Sequence, residues 1–461
     1  MRILYTIGIY LYTLGVRLAA LLGHKNAGLM VKGWREFGIR NSEFGDVQMQ
    51  HNNSELKTQN SKLAWFHAAS LGEFEQARPV LEAFRERHPE YKVRGTFFSP
   101  SGYEVRKNYA GADRVCYLPM DTPRNVRRFL DTYRPDMAFF VKYEFWFNYL
   151  GELKKRGIPT YIFSAIFREN QYFFKWYGGW FRKQLKTSFT HLFVQNEESL
   201  HLLQGIGIEH CSLAGDTRFD RVHQIALAAE GDEVVERWLD GYDSHVLVAG
   251  STWPPDEALL SKVTEVLSNK VTKSHSATQP LSHSATPILR IILAPHVIGE
   301  EHLRQIERLF PDSVRYSKVT ELLSNKVTES HSATQPLSHS ATPQVLIIDN
   351  IGMLSKLYRY ATVAYIGGGF GVGIHNILEA VTFGKPVFFG PNYHKFQEAH
   401  DIIARGGGWS IRGEYDMEEG DFKRLMTDDK ALHTASQACT DYMNENLGST
   451  EKILKEIENE K

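Results

Sequence analysis

Residues 63–87 read LAWFHAASLGEFEQARPVLEAFRER and combine two patterns that indicate the fold class. Its first five residues are mostly apolar and suit a buried strand, whereas residues 74–87 have the amphipathic spacing of a helix. Gly72 and the acid Glu73 lie at the turn between them. A strand, a short turn and a helix in this order form the repeating unit of a doubly wound α/β fold.

The same alternation of short apolar runs and amphipathic stretches continues along most of the chain. The runs fall into two series separated by residues 222–242. We therefore predict an α/β protein with two doubly wound, Rossmann-like domains joined near these residues, with the functional site in the cleft between them. The predicted strands are 63–67, 93–98, 115–118, 137–142, 160–164, 191–194 and 212–214 in the first domain, and 246–249, 290–294, 345–348, 363–366 and 386–388 in the second.

Composition excludes several classes of protein. The 461 residues contain 53 Lys and Arg against 54 Asp and Glu, so the net charge of −1 disfavours a general nucleic-acid binder. The hydrophobic content of 42% is that of a globular protein. Three cysteines without a CxxC motif exclude both a disulfide scaffold and a thiolate zinc site.

The N-terminus differs in character from the remainder of the chain. Residues 1–40 carry six Lys or Arg and one Glu, a charge of +5, and residues 3–22 form an apolar, aromatic run. This pattern favours a membrane anchor over residues 1–23 that either spans the bilayer or lies in its interface. A cleaved signal peptide and a buried first helix are the alternatives; Arg17 inside the apolar run argues against the former.

A repeat interrupts the second domain. Residues 261–287 recur at 317–343 with two differences, and each copy contains SHSAT twice. Because the repeats are rich in Ser, Thr, His and Pro, we expect low-complexity surface insertions and not a solenoid. Their histidines have no cysteine or carboxylate partners, so no metal site is predicted. These histidines are His275, His283, His331 and His339.

Two acids directly follow predicted strands of the first domain. Glu73 would lie in the first turn of a helix at the carboxyl edge of the sheet, where α/β proteins bind ligands. Glu144, in KYEFWFN, follows another strand, so the pair could divide general-base and positioning roles. The alternative for each is a first-turn or capping acid that only stabilises a helix.

A glycine-rich segment, GGGFGVGIHNILE at 367–379, follows a strand of the second domain. We expect a loop leading into a helix whose free N–H groups suit a nucleotide phosphate. Asn376 and Glu379 would share one face of that helix, with the carboxylate suited to ribose hydroxyls. A structural turn is the alternative, since the spacing matches neither a Walker loop nor a dinucleotide fingerprint.

Nine motifs together resemble one family. They include HAASLGEFEQ at 67–76, YEFWFN at 143–148, GSTWPPDE at 250–257 and the glycine-rich segment, and in this order they are similar to the 3-deoxy-D-manno-octulosonic acid (Kdo) transferases of lipopolysaccharide synthesis. The resemblance implies a GT-B fold and an inverting, metal-independent transfer without a cofactor. The donor would be cytidine monophosphate-Kdo (CMP-Kdo), and the acceptor a lipid A precursor at the cytoplasmic face of the inner membrane.

The resemblance also implies roles for individual residues. Glu73 matches the general base and Glu144 a second important acid. On the acceptor side, within residues 24–225, the matching positions are Ser70, Gly72, Ser101 and Gly102. On the donor side, assigned to residues 226–461, they are Ser251, Thr252, Pro295, His296, Gly352, Met353, Asn376 and Glu379, with Arg218 as a cation for the phosphate or the Kdo carboxylate.

Some positions depart from the family pattern. Only His296 follows Pro295 where the family has Arg and His, and Arg168 stands two positions beyond the usual cation. These departures bear on substrate contacts and not on the class of reaction. Two rival functions remain: a GT-B transferase using a uridine-diphosphate sugar, and a catalytically silent lipid-binding protein.

Overall fold

A computed structural model describes residues 1–39, 62–240, 244–274, 288–321 and 343–459. The chain divides into two compact units, one formed by Met1–Arg221 with Asn446–Lys461 and the other by Val222–Glu445. Each unit contains one sheet of seven parallel strands. The prediction of two doubly wound α/β units is confirmed.

The sheet of the first unit has the order β3-β2-β1-β4-β5-β6-β7. The direction of winding reverses between β1 and β4, which lie side by side with His67 opposite Phe140. Ligands of doubly wound folds bind at the carboxyl ends of the strands at such a reversal. The strands are β1 Lys62–Ala68, β2 Tyr91–Phe97, β3 Arg114–Tyr117, β4 Met137–Val141, β5 Thr160–Ala165, β6 His191–Val194 and β7 Cys211–Leu213.

Helices cover both faces of this sheet and bury an aromatic core. Trp65 and Phe140 lie in a cluster on one face, and Phe66 and Phe139 in a cluster on the other. The alternation follows from the strand itself, since successive side chains point to opposite faces. The helices are Arg2–Leu21, Lys25–Ile39, Leu71–Arg87, Pro100–Arg106, Pro123–Tyr133, Phe147–Lys155, Gly179–Ser188, Glu197–Gly205, Thr217–Ala228 and Ser449–Asn459, with short 3₁₀ turns at Tyr172–Phe174 and Trp176–Gly178.

The sheet of the second unit has the order β10-β11-β9-β8-β12-β13-β14 and reverses between β8 and β12. Two edge strands, β10 and β14, were not predicted, because three-residue segments with Ser, Arg or Gly carry no apolar run. The strands are β8 Ser244–Thr252, β9 Ile288–Pro295, β10 Ser313–Arg315, β11 Val345–Ile347, β12 Val363–Ile366, β13 Val387–Phe389 and β14 Gly408–Ser410. The helices are Glu233–Leu239, Pro254–Ser274, Glu300–Leu309, Leu354–Leu357, Leu378–Val381, Gln397–Ala404, Glu414–Glu418, Asp421–Thr427 and Asp429–Asn446, with a 3₁₀ turn at Tyr358–Tyr360 and a helical stretch over 316–321.

The first residues of both repeats belong to the folded unit. Helix Pro254–Ser274 continues into the first copy, and Val263 is 1% exposed. Val319, at the equivalent position of the second copy, is 5% exposed. The expectation of surface insertions over all of 261–287 and 317–343 is therefore wrong at their first residues, where apolar side chains complete the core. The four repeat histidines lie outside the described residues.

The boundaries of the two units differ in detail from those predicted from the sequence. Of residues 222–242, expected to join two domains, the described part to residue 240 lies mostly in the helices Thr217–Ala228 and Glu233–Leu239. The C-terminal residues were assigned to the second domain, whereas the structure groups Asn446–Lys461 with the first unit. Asp220 accounts for this grouping, since its carboxylate accepts the backbone N–H of Gly448 at 2.7 Å and of Thr450 at 2.6 Å.

Candidate active site

Glu73 lies at the beginning of the helix that follows β1. Its Oε2 atom accepts the backbone N–H of Ala69 at 2.7 Å and of Ser70 at 3.1 Å, which satisfies two donors at the helix N-terminus. The expected capping role is thus real. Among the described residues no hydrogen bond reaches Oε1, so the half-buried carboxylate keeps one oxygen for a substrate.

Glu144 follows β4, the neighbour of β1, and is held by two aromatic side chains. Trp146 Nε1 donates to Glu144 Oε2 at 2.5 Å, and His67 Nε2 lies 3.2 Å from the same oxygen. The ring of His67 is fully buried, and its Nδ1 is 2.9 Å from the hydroxyl of Thr96 on β2. Strands β2, β1 and β4 therefore fix the position of this carboxylate together.

The two carboxylates influence each other. Burial raises the pKa of Glu73, and the negative charge of Glu144 raises it further, against the opposing effects of His67 and of the two backbone N–H groups. A carboxylate with a raised pKa is a stronger base. The structure thus brings both predicted acids to the β1–β4 reversal, where one of them is suited to accept a proton.

The other predicted residues of the first unit lie at the beginnings of the helices that follow β1 and β2. The loop after β2 joins the β1 turn through the N–H of Ser99, which donates to Ala69 O at 2.7 Å. Ser101 is exposed and its hydroxyl is 3.0 Å from that of Ser99, whereas Gly102 is buried where a Cβ would lie 2.2 Å from the ring of Phe97. Gly102 is therefore required for packing. Ser70 is half-buried and Gly72 is exposed.

Two cations discussed from the sequence are also in the first unit. Arg168 is exposed after β5 and donates to the hydroxyl of Tyr143 at 3.1 Å, close in sequence to Glu144. Arg218 forms an ion pair with Asp216 at 2.8 Å. Arg218 belongs to the first unit, whereas the other residues assigned to the donor belong to the second. Its role toward the donor stays a prediction.

In the second unit, a buried carboxylate holds the end of β8, where the predicted residues Ser251 and Thr252 lie. Asp256 accepts the N–H of Trp253 at 2.9 Å, the N–H of Gly368 at 3.0 Å and the hydroxyl of Tyr365 at 2.7 Å. It thereby joins the end of β8 to the glycine-rich loop after β12. Ser251 has φ +54, an uncommon conformation for a residue with a side chain that is often found at functional sites.

The side chain of Thr252 does not face a ligand. It is fully buried, and its hydroxyl donates to Glu257 Oε1 at 3.0 Å. The other Glu257 oxygen is 2.9 Å from His302 Nε2. The contribution of Thr252 to the site is therefore its backbone, whose carbonyl accepts the N–H of His296 at 2.9 Å and so ties β8 to the end of β9 at Pro295.

The glycine-rich loop packs closely against its neighbours. A Cβ at Gly367 would lie 2.3 Å from the carbonyl oxygen of Ser251, and one at Gly369 would lie 2.5 Å from Gly390 N. The N–H groups of Gly371 and Gly373 both donate to Gly368 O within the loop. Close packing therefore accounts for these glycines, as expected if the segment is a structural turn.

The helix expected after this loop is only Leu378–Val381, so the expectation that Asn376 and Glu379 share a helix face is wrong, whereas a phosphate at the helix N-terminus stays a prediction. Asn376 precedes the helix and its Oδ1 accepts the N–H of Leu378 at 3.2 Å. Its amide nevertheless donates to Glu379 Oε1 at 3.3 Å, and Ser355 donates to Glu379 Oε2 at 3.0 Å. The predicted amide and carboxylate are therefore adjacent, although they do not share a helix.

Three rings form a cluster that includes His375, the residue before Asn376. The ring of His296 stacks on Trp253 with centroids 4.7 Å apart and lies 4.6 Å from His375. Trp253 Nε1 donates to His375 Nε2 at 3.3 Å. Burial, with the nearby His296, lowers the pKa of His375, so this ring is neutral at pH 7 and can accept that hydrogen bond. His296 is exposed, and its ring is open to a ligand.

Gly352 and Met353 lie after β11 at the same edge of the sheet. Gly352 has φ +92, which favours glycine, and Met353 is 8% exposed. No role for His67, Trp146, Trp253 or Asp256 is predicted from the sequence. A histidine in an otherwise apolar strand was the available signal for His67, whereas Asp256 looks like an ordinary first-turn acid. Among the described residues no group of three or more His, Cys, Asp or Glu could hold a metal ion.

Helix Arg2–Leu21 is long and apolar enough to cross a membrane, and its apolar window is not buried in the fold. It ends before the family match begins. Residues 42–221 match the family model described as 3-deoxy-D-manno-octulosonic-acid transferase (kdotransferase).

Curated relatives extend the likeness to most of the chain. The 3-deoxy-D-manno-octulosonic acid transferase of Bordetella pertussis is 26% identical, covering 86% of this chain and 86% of its own length. That of Aquifex aeolicus is 23% identical, covering 77% of this chain and 83% of its own. A solved UDP-GlcNAc 2-epimerase from Neisseria meningitidis has a TM-score of 0.55 at 15% identity, covering 87% of this chain and all of the other, a likeness of fold alone.

The two parallel sheets and these neighbours define a fold of the GT-B class. Residues 42–221 match the model of the Kdo transferase family, and curated Kdo transferases are similar to most of the chain, in agreement with the nine motifs.

Proposed function

We propose that this chain is an inverting glycosyltransferase that moves Kdo from CMP-Kdo to a hydroxyl of a lipid A precursor. The observation that carries the proposal is the Glu73 carboxylate at the β1–β4 reversal of a chain similar to the Kdo transferases. It is half-buried, its pKa is raised, and one of its oxygens is uncommitted among the described residues.

In the reaction, Glu73 Oε1 accepts the proton of the acceptor hydroxyl while the hydroxyl oxygen bonds to the anomeric carbon of Kdo. The bond from that carbon to the phosphate oxygen breaks, and CMP leaves with the electron pair. Attack from the face opposite the phosphate inverts the anomeric centre, which requires one base and no covalent enzyme intermediate. Burial, together with the negative charge of Glu144 that His67 and Trp146 hold in place, keeps the pKa of Glu73 raised.

The second unit would bind the donor. Glu379 and Asn376 offer a carboxylate and an amide to the ribose hydroxyls. Exposed His296 offers a flat ring for the base, and its stacking on Trp253 limits its motion. Ser251, Pro295, Gly352 and Met353 would complete this side through their backbone positions.

Association with the cytoplasmic face of the inner membrane is part of the proposal. The exposed apolar residues of helix Arg2–Leu21 and the +5 charge of residues 1–40 suit an anionic leaflet. Trp176 is 92% exposed and Tyr177 55% exposed, beside the helix Gly179–Ser188 that contacts Tyr5 through Trp180. An enzyme held at the bilayer surface meets a lipid acceptor at high effective concentration.

The experiment is a donor comparison on purified full-length protein. With a tetra-acylated disaccharide acceptor, CMP-Kdo should yield a glycosylated lipid and CMP in equal amounts, whereas uridine-diphosphate sugars should yield neither. Transfer from a uridine donor would instead support the rival GT-B activity. Lipid binding without transfer from any donor would support the silent homologue and overturn the proposal.

A further inference from the structure

The N-terminal helix Arg2–Leu21 contacts the first unit through polar side chains of its first two turns. Arg2 Nε donates to Asn148 Oδ1 at 3.3 Å, and the Tyr5 hydroxyl donates to Asp121 Oδ2 at 2.6 Å. The ring of Tyr5 packs edge-on against Phe147 with centroids 5.2 Å apart. A purely hydrophobic tether would not need such a directional hydrogen bond to a buried carboxylate.

Asp121 links this helix to the next element of the site. The residue is fully buried, and its carboxylate accepts the N–H of Asn148 at 3.0 Å and of Tyr149 at 2.9 Å. These are donors in the first turn of helix Phe147–Lys155, which no intrahelical carbonyl can satisfy. Asp121 therefore fixes the beginning of the helix that directly follows Glu144 and Trp146.

A second contact leads to the same loop. The ring of Tyr12 stacks on Phe98 at 6.3 Å, and Phe98 packs against Trp146 at 4.9 Å. Trp146 in turn donates to Glu144. The helix thus reaches the loop 144–147 by a hydrogen bond on one side and by aromatic packing on the other.

We propose that Tyr5 and Asp121 are positioning residues that hold the Glu144–Trp146 loop. The N-terminal helix thereby supports the acceptor-binding side of the site, in addition to its association with the membrane. The inference rests on the proposed function for its kinetic consequence. Its structural consequence, a more ordered loop and helix start, is independent of what the protein catalyses.

The test compares Tyr5→Phe with Tyr10→Phe in the full-length protein. Both changes remove one hydroxyl from the same helix, but Tyr10 is 53% exposed and among the described residues its hydroxyl has no hydrogen-bond partner. We expect Tyr5→Phe to accelerate deuterium uptake at Asn148 and Tyr149 and to leave sedimentation with vesicles unchanged. It should lower kcat about tenfold, the factor for a hydrogen bond to a carboxylate, without changing the KM for CMP-Kdo.

The double variant Tyr5→Phe/Asp121→Asn makes the test specific. If the two residues act as one unit, it should exchange no faster at Asn148 than Asp121→Asn alone. Uptake at Asn148 and Tyr149 in Tyr5→Phe equal to that in Tyr10→Phe would overturn the inference. Absence of transfer in the unaltered protein would remove the proposed function, and the exchange result would then decide the positioning role by itself.

Discussion

Replacement of Glu73 by Gln removes the proposed base with little change of shape. The Gln side chain keeps an oxygen that can accept the N–H groups of Ala69 and Ser70, which the carboxylate accepts at 2.7 and 3.1 Å. The stability loss should therefore stay below the roughly 1 kcal/mol typical of losing a whole cap. Loss of a positioned base should lower kcat by a factor of about 10² to 10⁴, or about 3 to 5 kcal/mol.

The pH profile separates this role from capping. Burial and Glu144 raise the pKa of Glu73, and a protonated carboxyl cannot accept the hydroxyl proton. The rate of the unaltered enzyme should therefore fall as the pH drops through this raised pKa, and the acid limb should be missing from the residual rate of Glu73→Gln. The assay is single-turnover release of CMP from CMP-Kdo.

Glu86→Gln is the matched control, since Glu86 is exposed on the same helix. It should retain full activity. Turnover of Glu73→Gln within threefold of the control, with the acid limb intact, would refute the assignment of Glu73 as the base.

Two further predictions concern the second unit and the buried carboxylate. Glu379→Ala should weaken the affinity for CMP by about 10- to 100-fold, because it removes a charge-assisted hydrogen bond worth about 1.5 to 3 kcal/mol. The control Glu301→Ala, at an exposed position, should leave this affinity unchanged. Equal affinities of the two variants by calorimetry would contradict the ribose contact. Burial raises the pKa of Asp121 from 3.8 to about 7, so the folded state keeps a proton that the unfolded chain releases. The stabilisation by this bound proton is complete below pH 3.8 and is lost as the pH rises through about 7. Between these two values the free energy of unfolding should fall by roughly 1.4 kcal/mol per pH unit relative to that of Asp121→Asn. Parallel melting temperatures of the two proteins between pH 4 and 7 would contradict the buried environment.

The alternation of apolar runs and amphipathic stretches was sufficient to predict the two parallel sheets. Twelve strands could be located because each buried strand is an apolar run, and Glu73 and Glu144 could be placed at the same edge because parallel strands end together. β10 and β14 carry no such pattern, since short edge strands bury few side chains.

Contacts between residues distant in the chain could not be predicted. The hydrogen bond of Trp146 to Glu144 is local, but the contact of Glu144 with His67 spans 77 positions, and that of Asp121 with Tyr5 spans 116. From the sequence, Met1–Gly23 reads as an anchor outside the chemistry. The hydrogen bond of Tyr5 to the buried Asp121 ties the first turns of this segment to the folded unit, because a carboxylate at that depth requires donors.

The repeats illustrate the opposite error. Their composition predicts surface segments, yet Val263 and Val319 are buried because each copy begins inside a helix of the second unit. Composition averages over a segment, whereas burial is decided at each position of a helix face.

The most direct measurement is the anomeric configuration of the product. Purified protein, CMP-Kdo and a tetra-acylated disaccharide should give a Kdo-bearing lipid whose anomeric configuration, determined by NMR, is opposite to that of the donor. Inversion is the consequence of one displacement assisted by the single base Glu73. A product with retained configuration, or release of free Kdo without a glycosylated lipid, would contradict the account.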